Sequence, residues 1–186
     1  MSQQPSFRRR SAPSRIGPFT IAVVLLMQAL ASAQDLTESA LKAAFIYNFA
    51  KFTEWPADVL SGVEPFVLCV IGDSAVSDAL ERTVKARVLA GHNLTVSYVE
   101  PGAQPPTCHI LYVSGVTAAR ASQLVARTRD VPVLTISDLN GFTELGGIAQ
   151  FFYEEGRLRF NVHLDAVKRA RLKISSMLLV LAKRHD

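Results

Sequence analysis

Cysteine is scarce in this chain, with only Cys69 and Cys108 in 186 residues, far apart in sequence. The four histidines, His92, His109, His163 and His185, show no paired spacing. Together these absences leave no ligand pattern for a metal site. Repeats and low-complexity tracts are missing, which sets aside solenoids and disordered tails. No uninterrupted membrane span is present either. A span needs roughly 20 apolar residues, and Gly17, Pro18, Thr20 and Gln28 break the run Ile16–Leu30.

That run reads instead as the core of an export signal over residues 1–33. Arg8, Arg9, Arg10 and Arg15 precede it, and Ala31-Ser32-Ala33 offers a small-residue cleavage site. The signal also accounts for the net charge. The whole chain has 20 basic and 16 acidic residues, and the four leader arginines make up the excess. A basic chain invites a nucleic-acid reading. Here that reading disappears on maturation, and no nucleic-acid partner is expected. Residues 34–186 have the size of one domain. Two cysteines in an exported chain predict a Cys69–Cys108 disulfide, with two buried free thiols as the alternative.

Hydrophobic patterning supplies the architecture. Leu41, Phe45, Phe49 and Phe52 recur at helical spacing, Asp35 is an N-cap candidate with Glu38 three residues on, and Trp55-Pro56 ends the helix. Pro65–Ile71 and Cys108–Val113 are continuous apolar runs suited to strands buried on both faces. Asn93–Val99 and Pro132–Ile136 read as further strands, with helices at 75–84 and Thr117–Arg129. Ile148–Tyr153 and Arg157–His163 flank Glu154-Glu155-Gly156 as a hairpin. A final helix is expected from Leu164 or Asp165 toward Lys183, burying Ile174, Met177, Leu178 and Leu181. The fold class is α/β: a single-domain three-layer sandwich, with a mostly parallel central sheet, a C-terminal antiparallel hairpin and helices on both faces.

Several pieces together resemble the YfiR family of periplasmic regulatory proteins. They are KAAFIYNFAKFTEWP (Lys42–Pro56), LCVIGDS (Leu68–Ser74), CHILYVS (Cys108–Ser114), VLTISD (Val133–Asp138) and the stretch Gly146–Lys183. The resemblance spans the mature chain, with the pieces in family order. It implies a non-enzymatic repressor in the periplasm that contacts the periplasmic sensory domain of an inner-membrane diguanylate cyclase and so controls cyclic di-GMP. It implies two further partners: an outer-membrane lipoprotein that sequesters the repressor, and a second copy in a homodimer. It implies no cofactor. Cys69 and Cys108 fall where the family has strand cysteines, whereas a second cysteine pair of the well-known member has no counterpart here.

Tyr47 lies off the phenylalanine stripe and Trp55 sits at the turn, which makes both candidate partner anchors, with core packing the alternative. Arg157, Arg159, Asn161 and His163 alternate along one strand, a row suited to an anion or a partner's carboxylates, or to a solvated sheet edge. Two other functions compete. A periplasmic small-ligand module would place its site beyond the carboxyl ends of the strands, near Gly72–Ser74. Gly72-Asp73-Ser74 also resembles the nucleophile block of GDS-type hydrolases. There the bland alternative is a strand-to-helix turn with Asp73 or Ser74 capping the next helix.

Overall fold

The structure is a computed structural model that describes residues 37–183. The export signal, the Asp35 cap and His185 lie outside the described residues. Residues 37–51 form helix α1. The strands and remaining helices follow as β1 (Thr53–Glu54), β2 (Phe66–Ile71), α2 (Ser74–Val84), β3 (Val88–Leu89), β4 (His92–Val99), β5 (Ile110–Val113) and α3 (Ala118–Thr128). Then come β6 (Leu134–Ser137), β7 (Ala149–Glu154), β8 (Arg157–Val162), α4 (Leu164–Arg169), β9 (Lys173–Ile174) and α5 (Ser176–Leu179).

Seven strands make one sheet in the order β3-β4-β2-β5-β6-β7-β8. The pairings from β4 through β7 are parallel, and β7–β8 is an antiparallel hairpin at one edge. Its two central turn residues, Glu155 and Gly156, both have positive φ, 51° and 72°, as a two-residue loop matched to strand twist requires. The α/β class, the central parallel sheet and the hairpin are therefore as the sequence predicts.

The two faces of the sheet bury different helices. On one face Leu68, Val70, Ile110, Leu134, Phe151 and Phe160 meet α1 and α2 in the main core. On the other, Cys69, Ile71, Leu111 and Val113 meet Leu124 of α3. Helix α1 lies against the hairpin, with Phe49 5.1 Å from Phe160 and Phe45 5.9 Å from Phe151 between ring centroids. Its buried stripe is Ser39, Lys42, Ala43, Ile46, Phe49 and Ala50. The expected stripe is thus rotated: Phe45 and Phe52 are half-buried, and Leu41 is exposed.

The last element departs from expectation. A single helix to Lys183 does not form; α4 stops at Arg169 in a Schellman motif. Leu172 N donates to the Val167 carbonyl and Arg171 N to that of Lys168, while Arg171 takes a φ of 56°. Glycine usually occupies that left-handed position, so an arginine there hid the break. Buried Leu172 then carries the chain into β9, which pairs antiparallel with β1, Thr53 opposite Ile174. Of the expected apolar stripe only Leu178 is buried; Met177 and Leu181 are exposed because α5 is one short turn.

The disulfide joins Cys69 of β2 to Cys108 just before β5, on the α3 face. The described residues contain no free cysteine, and none of their helices is long and apolar enough to cross a membrane.

Candidate functional site

Helix α1 carries a polar network on its inner side and a cationic aromatic patch on its outer side. Lys42 is the inward charge. Its ammonium lies 2.7 Å from Glu38, one helical turn back, and 2.8 Å from Asp138 Oδ2, just beyond β6. A buried charge persists only when paired and hydrogen-bonded. Here the pairing is dense, because Asp138 Oδ2 also accepts from Tyr112 OH at 2.9 Å and Ser114 Oγ at 3.1 Å. Burial alone lowers the pKa of Lys42, but hydrogen bonds and Coulomb attraction to Asp138 and Glu38 outweigh it and raise that pKa well above the ordinary range. Burial, then the Asp138 charge, pushes the Tyr112 phenol upward as well. The network ties α1 to the carboxyl edge of β5 and β6.

Above it β7 leaves β6, since only Ile136↔Ala149 and Ser137↔Gln150 pair. The gap is a cavity of about 320 Å³ walled by Glu38, Lys42, Asp138, Asn140, Phe152 and Tyr153. This is a carboxyl-end crevice of the kind open α/β sheets offer to ligands. Its charged groups already satisfy one another. In the neighbouring turn that the sequence nominates, Gly72 packs against the Ser114 backbone: its φ is +78°, and a Cβ there would stand 2.1 Å from the Ser114 carbonyl oxygen.

In the same turn Asp73 caps α2, its Oδ1 accepting from Val76 N at 3.0 Å. Among the described residues, no hydrogen bond links Ser74 to a histidine. No group of three or more histidine, cysteine, aspartate or glutamate side chains there could hold a metal.

The outer face of α1 presents Tyr47. The Arg87 guanidinium stacks 4.8 Å over its ring and donates to its hydroxyl at 3.2 Å. Lys51 Nζ lies 5.7 Å from the Tyr47 ring and 5.5 Å from that of Phe52. Both cations are exposed, so the patch is a half-buried aromatic flanked by two solvated positive charges.

Trp55 is placed differently. Its indole N–H donates to the Pro132 carbonyl at 3.0 Å, its ring meets Phe66 edge-on at 4.9 Å, and 9% of its surface is exposed. That is the core alternative: Trp55 lacks the open surface a partner anchor needs.

The expected row on β8 is split as well. Arg157 and Arg159 are exposed, on the sheet face opposite Phe160 and α1. Asn161 is buried and paired across from Gln150, so it cannot join a surface row. His163 lies past the strand, at the N-cap of α4 without a capping hydrogen bond. The cavity beside Asn161 and His163 also contains Glu144 and Asp165, carboxylates that oppose an anion there.

The YfiR/HmsC-like family model matches residues 39–183, nearly all of the described chain. The chain belongs to the YfiR/HmsC-like family. The match takes in both ends of the Lys42–Asp138 tie, the disulfide and the Tyr47 patch. Sequence reasoning overlooked the tie in this YfiR/HmsC-like chain because its two residues are 96 positions apart. A signal was available: Lys42 shares the helical stripe of Ile46 and Phe49, and a lysine on a core stripe requires a partner.

Proposed function

We propose that this protein is a periplasmic regulator that represses an inner-membrane diguanylate cyclase by binding its periplasmic sensory domain. The observation that carries this reading is the YfiR/HmsC-like match over residues 39–183. The family's regulatory character makes binding, with no catalysis, the expected mode of action. Moving a cyclase from mostly on to mostly off takes about 5.5 kcal/mol of preference for the off state, within reach of a few well-buried anchors. The Tyr47–Lys51–Arg87 patch is the contact surface we favour. It joins an aromatic to two cations that form no salt bridge among the described residues, and it suits an acidic, partly apolar partner face. Arg157 and Arg159 form a separate strip on the other sheet face. Self-association and sequestration by an outer-membrane lipoprotein belong to the same reading.

The test is intracellular cyclic di-GMP in a strain lacking the protein. Deletion raises the nucleotide and the exported protein restores it. Tyr47→Ala, whose half-buried ring also packs on the main core, loses about 1–2 kcal/mol, stays folded and fails to restore repression. Trp55→Ala instead loses about 3–5 kcal/mol of stability, as truncation of a core aromatic does. No rise on deletion, in cells that express the protein, would sink the repressor reading; a fully repressing Tyr47→Ala would move the interface elsewhere.

A further inference from the structure

The largely apolar cavity of the described chain is not at the carboxyl ends of the strands but at the opposite end. It occupies about 370 Å³ beside the amino ends of β5 and β6. Leu111, Leu124, Val133 and three prolines, Pro105, Pro106 and Pro132, form much of its wall. Prolines fix φ, and the Cys69–Cys108 disulfide braces the same wall. The site is therefore preformed, which lowers the ordering cost of binding.

The cavity has neutral polar side chains, Gln104, Thr107 and Thr128, and its one formal charge is positive. Arg127 and His109 line it, and no aspartate or glutamate does. Arg127 is exposed and donates to the neutral amide of Gln104; among the described residues it has no carboxylate partner. His109 Nδ1 accepts from Val67 N at 3.0 Å, which leaves the ring proton on Nε2 as a donor. A largely apolar, partly open pocket whose one formal charge is positive suits an apolar body carrying a single anionic head.

We propose that this pocket binds a small amphiphilic carboxylate, with its apolar body between the α3 wall and the proline loop and its head group against Arg127. A cavity of this size accommodates on the order of a dozen heavy atoms. The site is independent of the cyclase-binding surface on α1. It adjoins the chain's one tryptophan, because Pro132 both lines the pocket and accepts the Trp55 indole hydrogen bond.

Decanoate is the probe, titrated by calorimetry and by Trp55 fluorescence into protein purified after export of the full chain. One saturable site per chain is expected, with a change in Trp55 emission. 1-Decanol, equally apolar but uncharged, binds at least about tenfold more weakly. Arg127→Gln weakens decanoate about tenfold, leaves decanol unchanged and keeps the melting temperature, since the side chain is exposed. Val131→Glu, an exposed lining position, weakens decanoate in the same way by adding a like charge. The proposal is overturned by any of three results: no saturable heat up to roughly 1 mM, equal affinity for decanoate and decanol, or undiminished decanoate binding by Arg127→Gln.

Discussion

Lys42 shows how a single side chain can hold an element in place. Its stem crosses the core stripe of α1, and its buried ammonium finds Asp138, a quarter exposed, and the more exposed Glu38. Removing one member of a fully buried pair costs about 3–5 kcal/mol. Asp138 keeps a quarter of its side-chain surface in solvent, so Lys42→Met should cost less, about 2–3 kcal/mol. Combining it with Asp138→Asn should show positive coupling in a double-mutant cycle by denaturant unfolding, whereas strictly additive losses would deny the tie. The pH dependence has a definite sign. The folded pKa of Lys42 is raised above its ordinary 10.5. The lysine's contribution is therefore complete below that pH and is lost as pH rises through the folded value. The Lys42→Met penalty should be constant from about pH 6 to 9 and shrink above about pH 10.5.

Among the elements, α4 and β9 depend most on one backbone conformation. The Schellman motif needs a left-handed residue at position 171, and arginine adopts it at a cost of roughly 1 kcal/mol. The return is the β1–β9 pairing, which draws Ser175 N to the Phe52 carbonyl at 2.8 Å and closes the region after α1. Arg171→Gly should raise stability by about 0.5–1 kcal/mol, read as a higher denaturant midpoint. The Arg171–Asp58 contact offers little to lose, being exposed and 3.4 Å long. A destabilised Arg171→Gly would mean that the turn draws its stability from that ion pair after all. Helix α1 illustrates the same scale differently. Its phenylalanines are legible as a stripe, yet the exact buried side depends on the hairpin rings of Phe151 and Phe160, which helical periodicity alone does not locate.

For the whole molecule the disulfide is the covalent brace. It closes a separation of 39 residues between two neighbouring central strands. Chain entropy assigns such a loop about 4 kcal/mol. Replacing both cysteines by serine should lower stability by about 2–4 kcal/mol, and thiol titration of native exported protein should find no reactive thiol. Two reactive thiols would contradict the bond. The distribution of space across the molecule bears on function as well. The carboxyl-end crevice is filled at its base by the Lys42 network, while the amino-end pocket is largely apolar and edged by Arg127, which has no carboxylate partner among the described residues.

The α/β class, the parallel strands, the hairpin and the cysteine pair were determined by the sequence itself. Each rests on local periodicity, turn chemistry or residue count, all of which act over a few residues or none. The family pieces were legible in the same way. Three features were decided only by the tertiary structure: the pairing of Lys42 with Asp138, the burial of Trp55 and Asn161, and the break after Arg169. Each depends on which distant groups arrive at a position, whether a carboxylate just beyond β6, a carbonyl at Pro132 or a strand partner in β1. Burial and pairing belong to the packed whole, and no stretch of chain carries them alone.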